Sequence, residues 1–354
     1  NKTIITYFDG PTVEFKGNQG KQYFVEFIDG DGKVRFSDTI TNNMWTTCGV
    51  KYYIPWTIKI NGEVIDKFNI ENKTVLISLE SKSILQTLLF LKYFIELMKQ
   101  KKCNVVLSTF HNEWFEGSES YKDIKFIKPG KSVNCDVIYK LGWFKDNNQG
   151  WKNFDSHPNQ PNLIPLQKTA TDILGLEYNE VNYGLNYKPK KRPIEPKYVV
   201  FGPQSTAGCK EWSFEHWVSL SKMVRQLGYE VVILSLNDYK IKDTISNTTK
   251  NWDEIFDCLY HAEFFVGLSS GLSWVNWALN KKTVMIAGFS ETEHEFTNNV
   301  TRVSNNICIK CWNDPVLVFD SGDWDWCPVY KTTERQHICQ KSITPLQVFN
   351  SLPR

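Results

Sequence analysis

The spacing of apolar residues changes character along the chain. Up to about residue 70 it alternates with period two, as in Gln22-Tyr23-Phe24-Val25-Glu26-Phe27 and Lys33-Val34-Arg35-Phe36, which predicts half-buried strands. Asp9-Gly10, Asp29-Gly30-Asp31-Gly32 and Asn61-Gly62 punctuate these runs, so tight turns and antiparallel pairing are expected. From about residue 72, short apolar strands alternate with helix-period segments. Lys73–Leu79 reads as a strand, Ser83–Gln100 as a helix, and Asn104–Thr109, Ile124–Ile127 and Asp136–Tyr139 as strands. Leu166–Leu174 reads as a helix stopped by Gly175. Such alternation predicts parallel βαβ units.

Asn186-Tyr187-Lys188-Pro189-Lys190-Lys191-Arg192-Pro193 is too polar and proline-rich to pack, and it reads as a solvated linker. A second α/β pattern follows. Tyr198–Phe201 is a strand, and the helix after it places Phe214, Trp217, Leu220 and Val224 on one face, with Ser213 as N-cap and Gly228 beyond its end. Glu230–Leu234, Phe264–Gly267 and Thr283–Ile286 are expected strands; Trp252–His261 and Leu272–Leu279 are expected helices. The predicted organisation is an N-terminal β-rich module (1–71), a first Rossmann-like domain (72–187), a linker (188–196), a second Rossmann-like domain (197–305) and a C-terminal segment (306–354). Ligands of such α/β folds bind at strand C-terminal ends, here expected in the cleft between the domains.

The 354 residues allow two or three domains. With 41 Lys+Arg against 39 Asp+Glu, the net charge of +2 gives no electrostatic reason to expect nucleic acid or a membrane surface as partner. The 13 Trp, 15 Tyr and 22 Phe fit large cores, or a stacking surface for a sugar or base. Ile84–Met98 is too short and too polar, through Gln86, Lys92 and Glu96, to span a bilayer. No leader pattern is visible at Asn1-Lys2-Thr3, so the expected location is cytoplasmic.

Cys48, Cys103, Cys135, Cys209 and Cys258 stand singly in structured segments and read as small core residues. The other four of the nine cysteines cluster: Cys308 and Cys311, then Cys327, then Cys339. Two thiolates three residues apart reach one ion from a tight turn, and two from later loops complete a tetrahedral all-sulfur set for zinc or a mononuclear iron. Four protein ligands leave no open position, so such an ion would staple the segment rather than catalyse. Unrelated thiols or a disulfide pair are the plainer alternatives.

Two loops suit an anionic ligand. Gly202-Pro203-Gln204-Ser205-Thr206-Ala207-Gly208-Cys209-Lys210-Glu211-Trp212 lies between a strand and a helix and offers hydroxyls, glycines and a lysine to a diphosphate. Gly267-Leu268-Ser269-Ser270-Gly271-Leu272-Ser273-Trp274 makes the same transition and offers hydroxyls and backbone N–H groups at a helix start. A plain turn with an N-cap is the simpler reading of each alone.

These loops, with Phe8-Asp9-Gly10-Pro11, Trp277-Ala278, Gly288-Phe289-Ser290 before Glu295-Phe296, Trp324-x-Trp326-Cys327-Pro328 and Lys341-Ser342-Ile343-Thr344, resemble the bacterial autotransporter heptosyltransferases, a branch of the lipopolysaccharide heptosyltransferase superfamily. The resemblance implies an α/β GT-B fold with an added N-terminal module. It implies an iron ion, with zinc as the alternative, at Cys308, Cys311, Cys327 and Cys339. It implies transfer of heptose, or another sugar, from an ADP-activated donor to hydroxyls of an adhesin or autotransporter, in the cytoplasm, by a homo-oligomer. Lys210 matches the donor-phosphate lysine. Ser205, Thr206 and Trp212 fall beside it, and Ser269, Ser270, Gly271 and Leu272 match the loop near the pyrophosphate.

One departure stands out. The family's catalytic aspartate lies in a Ser-Leu-Gly-Asp-Thr-type loop, which here reads Ser83-Ile84-Leu85-Gln86-Thr87. A glutamine amide is no general base at neutral pH. Asp9, His111 and Glu113 are the substitute candidates. The competing expectation is a catalytically silent paralogue that binds sugar nucleotide or acceptor, or supports an active partner.

Overall fold

The structure, a computed structural model, describes residues 2–7, 10–17, 20–48, 56–65, 69–79, 81–143, 162–320 and 322–353. The chain divides into two compact units, Asn1–Val181 and Asn182–Arg354. No described helix is long and apolar enough to cross a membrane.

In the first unit, the opening seventy residues are shared between two sheets. Strands β1 (Lys2–Tyr7), β2 (Pro11–Lys16) and β5 (Trp45–Thr47) join one sheet; β3 (Gln22–Ile28), β4 (Val34–Thr41), β6 (Thr57–Ile60) and β7 (Glu63–Ile65) form another, antiparallel, in the order β4-β3-β6-β7. The turns are where the sequence puts them. Asn61 and Gly62 both take positive φ between β6 and β7, the geometry a two-residue hairpin turn needs. The Asp29 carboxylate accepts from the Asp31 and Lys33 amides at 3.0 and 2.9 Å between β3 and β4.

The larger sheet adds β8 (Thr74–Ser78), β9 (Asn104–Ser108), β10 (Lys125–Ile127) and β11 (Val137–Lys140), in the order β10-β9-β8-β11-β1-β2-β5. Its strands from β10 through β1 are parallel, with β1 lying beside β11. The expected helix Ser83–Gln100 is two helices, α1 (Ile84–Phe90) and α2 (Tyr93–Lys101), because Leu91 and Lys92 form a turn. That turn buries Lys92, whose charge argues for an exposed position. Helix α3 (Lys168–Leu174) ends at Gly175 in the left-handed conformation, as expected.

The second unit holds six parallel strands: β12 (Tyr198–Gly202), β13 (Glu230–Leu234), β14 (Ile245–Asn247), β15 (Phe265–Leu268), β16 (Thr283–Ile286) and β17 (Val300–Val303). Strands β14 and β17 escaped the sequence reading because they are short and only partly apolar. The sheet order, β14-β13-β12-β15-β16-β17, is that of dinucleotide-binding folds, with the reversal of strand order between β12 and β15. Helices α4 (Phe214–Gln226), α5 (Trp252–Tyr260), α6 (Gly271–Ala278), α7 (Ile338–Lys341) and α8 (Pro345–Asn350) accompany it.

Trp217, Leu220 and Val224 of α4 bury against Val199 and Phe201 of β12, and Val348 of α8 joins the same core. The Trp217 ring lies 5.2 Å from Phe201 and 5.0 Å from Trp212. Trp217→Ala should therefore cost about 3–5 kcal/mol in denaturant unfolding of the full chain; a loss below about 1 kcal/mol would contradict this account of the core.

Candidate functional site

The reversal of strand order fixes where a ligand can reach this sheet. The loops leaving β12 and β15 diverge there, and they are the two loops singled out in the sequence. A side chain on Gly202 or Gly267 would crowd the Phe265 ring, so both positions are closed to anything larger than glycine.

The loop after β12 closes into a 3-10 turn, Gly208–Lys210. The Lys210 ammonium lies 5.8 Å from the Phe289 ring centre and 5.5 Å from that of Trp312, two aromatic faces that favour a cation. Among the described residues it forms no ion pair. Burial lowers its pKa; the nearby Glu295 and Cys209 oppose that. The result is a partly desolvated positive charge whose immediate neighbours are rings rather than carboxylates.

Glu295 ties the loop after β15 to Ser290 and Arg302. Its carboxylate accepts from the Ser269 hydroxyl, from the Ser290 hydroxyl at 2.7 Å and from Arg302 at 2.7 Å. Arg302 also donates to the Ser290 carbonyl at 2.5 Å. Burial would push Glu295 up, but the charges of Arg302 and His294 and the hydrogen bonds from Ser269 and Arg302 outweigh it and hold Glu295 at about 2. Sequence reasoning quoted Glu295 in a motif and gave it no role.

The other predicted residues are placed as follows. The Ser205 hydroxyl accepts from the Ala207 amide at 3.3 Å, and Thr206 is exposed beside it. Trp212 is not brought to the set: its ring is in the core, and its indole N–H donates to the Ile343 carbonyl at 2.8 Å. Ser270 caps α6 in extended backbone without a side-chain cap bond, Gly271 opens that helix, and Leu272 packs toward Gly202.

In the first unit, Gln86 is in the opening turn of α1, its amide N–H donating to the Ser83 cap at 3.4 Å. His111, just after β9, stacks on Trp114 with ring centres 4.3 Å apart, and its Nε2 meets the Lys82 carbonyl at 3.2 Å. A carbonyl only accepts, so Nε2 carries the proton and Nδ1 is the basic nitrogen of the neutral ring. Glu113 lies 3.9 Å from that Nδ1. Asp9 lies outside the described residues.

Cys308, Cys311, Cys327 and Cys339 line one small apolar pocket together with Cys209, which the sequence reading left as a core residue. Burial and the neighbouring thiols push Cys311 up to about 12 and Cys339 up to about 11. Four soft donors in one pocket fit a thiophilic ion by chemistry. Among the described residues, however, no three His, Cys, Asp or Glu side chains are arranged to hold a metal.

The parallel sheet in dinucleotide-binding order, with the two loops at its reversal, is a Rossmann-like unit, and likeness to solved glycosyltransferases gives the class: a glycosyltransferase of the GT-B fold. Residues 167–320 match the model of glycosyltransferase family 9 (heptosyltransferase). The autotransporter heptosyltransferase Aah of Escherichia coli is 30% identical over 98% of this chain and 92% of its own length. BimC of Burkholderia thailandensis, described as an inactive autotransporter heptosyltransferase, is 26% identical over 95% of this chain and 84% of its own. The crystal structure of the dodecameric iron-containing heptosyltransferase TibC, from enterotoxigenic E. coli, in complex with ADP-D-β-D-heptose matches with a TM-score of 0.79 and 27% identity, covering 98% of this chain and 93% of that one. The chain belongs to the autotransporter heptosyltransferases.

The Glu295–Arg302 pair gives a testable pH signature. Because Glu295 is held at about 2 against an ordinary 4.5, its contribution to stability is complete above about pH 4.5 and is lost as pH falls toward 2. Glu295→Gln should cost about 3–5 kcal/mol near neutral pH by leaving Arg302 buried and uncompensated. It should also flatten the fall in unfolding free energy between about pH 5 and about pH 3. An unchanged acid slope would show that Glu295 is not held down.

Proposed function

We propose that this protein transfers heptose from ADP-heptose to serine or threonine hydroxyls of an adhesin or autotransporter, acting in the cytoplasm as a homo-oligomer. The observation that carries the reading is the Lys210 ammonium, beside two aromatic rings and with no ion pair among the described residues, on the loop that leaves β12 at the reversal of strand order. A cation so placed suits a diphosphate, and the glycine- and serine-bearing loop that opens α6 adds backbone donors. In the reaction, the acceptor oxygen bonds to the anomeric carbon as the bond from that carbon to the β-phosphate oxygen breaks. ADP departs with the electron pair. Lys210 offsets the charge that develops on it. The acceptor proton goes to a base, a role this reading gives to His111, because Gln86 lacks one and His111 is tied to the same helix opening through Lys82.

The support beyond geometry is similarity to TibC and Aah. The boundaries 1–71, 72–187, 188–196, 197–305 and 306–354 belong to this proposal. So does a structural iron, or zinc, held by Cys308, Cys311, Cys327 and Cys339. Such an ion supplies a cross-link to an irregular segment.

A second reading is favoured by Gln86 and by the relative described as inactive: a silent paralogue that binds the sugar nucleotide or the acceptor. Transfer assays with ADP-heptose and an adhesin acceptor decide between the two. Lys210→Ala should lower transfer by about 10- to 1000-fold, and His111→Ala should lower it without weakening donor binding. Turnover by neither the native chain nor Gln86→Asp would leave the silent reading; full activity of Lys210→Ala would remove the lysine from the mechanism. Elemental analysis of gently purified protein should find one thiolate-bound metal per chain, red if iron and colourless if zinc, and finding none would refute the metal.

A further inference from the structure

Two residues of the four-cysteine segment hold Lys210, and each directly follows a cysteine of the set. Gln340, next to Cys339, is 1% exposed. Its side-chain amide bridges two backbone groups: Nε2 donates to the Lys210 carbonyl at 2.5 Å, and Oε1 accepts from the Gly288 N–H at 2.5 Å. Backbone carbonyls cannot donate and backbone amides cannot accept, so only one orientation of the glutamine amide satisfies both partners. Gly288 precedes Phe289, one of the two rings beside the Lys210 ammonium. A side chain at Gly288 would collide with the Cys339 carbonyl, so the segment lies directly against this backbone.

Trp312, next to Cys311, supplies the second ring. Its indole N–H donates to His294 Nε2 at 2.7 Å, and its ring meets Phe289 with centres 5.6 Å apart. A third tie comes from the stretch before Cys327, where the Gly208 N–H donates to the Trp324 carbonyl at 2.8 Å. The 3-10 turn that carries Lys210 is thus gripped at Gly208 and at Lys210, while its ammonium is flanked by rings that the same segment supplies or fixes.

We propose that Gln340 and Trp312 are positioning residues for diphosphate binding, through which the four-cysteine segment sets the place of the Lys210 charge. The inference rests on the donor-site reading of Lys210 and adds to it what holds the lysine. It needs no turnover to test, because it concerns where a charge sits.

The experiment is equilibrium binding of ADP and of adenosine, which lacks phosphate, to the full chain and to Lys210→Ala, Gln340→Ala and Trp312→Leu. If the charge is positioned by these residues, Gln340→Ala and Trp312→Leu should weaken ADP about tenfold or more while adenosine stays within about twofold. Equal weakening of both ligands would mean general loosening of the fold and would overturn the inference. Unchanged ADP affinity in both variants, with Lys210→Ala still weakening it, would overturn the inference and leave the donor site standing. No effect of Lys210→Ala would remove the donor-site reading and the inference with it. Should Gln340→Ala fail to fold, Gln340→Glu carries the same test: it keeps the acceptor for Gly288 and loses the donor to Lys210.

Discussion

A lysine that forms no ion pair among the described residues is the constraint on which the proposed site of the second unit depends. An ammonium that is already paired has little attraction left for a phosphate, and one in open water is screened. Here the charge is partly desolvated and faced with π-systems, which tolerate a cation without neutralising it. The nearest acid, Glu295, is already committed to Arg302 and two serine hydroxyls. That network also binds the loop after β15 to the segment around Ser290, on the β15 side of the strand-order reversal, and leaves Lys210 out of its ion pair.

The four-cysteine segment follows from the same need. A loop rich in glycine and small residues has the freedom to approach a ligand but cannot hold itself rigid. Rigidity must come from outside the loop. Gln340, Trp312 and the Trp324 carbonyl supply it, and the cysteines beside or near them would be the natural points at which to cross-link a stretch with little regular structure. Under the proposed donor-site reading of Lys210, this gives the segment a role in function although none of its cysteines need touch a substrate.

Much of this was legible in the sequence. The strands β8, β9, β12, β13 and β16 and the helices α4 and α5 announce themselves because their apolar runs are long relative to their turns. The two loops at the reversal were found because each sets small and hydroxyl residues between a strand and a helix of one domain. What escaped was non-local. The parallel placement of β1 beside β11 joins residues more than a hundred positions apart, and nothing in the period-two pattern of the first residues tells which sheet they enter. The break between α1 and α2 falls at a buried lysine, Lys92, in a run whose apolar period continues unbroken through it. Trp212 sits in a donor-loop motif yet points into the core, since a tryptophan next to a helix start serves packing as readily as stacking. Gln340 carries no signal at all: a glutamine becomes a clamp only when two backbone groups from distant segments are brought to either end of its amide.

The central claim is that Lys210 awaits a diphosphate, and its own titration reports on that. In the free protein its pKa lies below the ordinary lysine value, because burial disfavours the charge. NMR titration of the Lys210 Nζ, with and without saturating ADP, should find that lowered value and an upward shift when the nucleotide's phosphates lie beside the ammonium. A titration that ADP leaves unmoved, in protein shown to have bound it, would contradict the account.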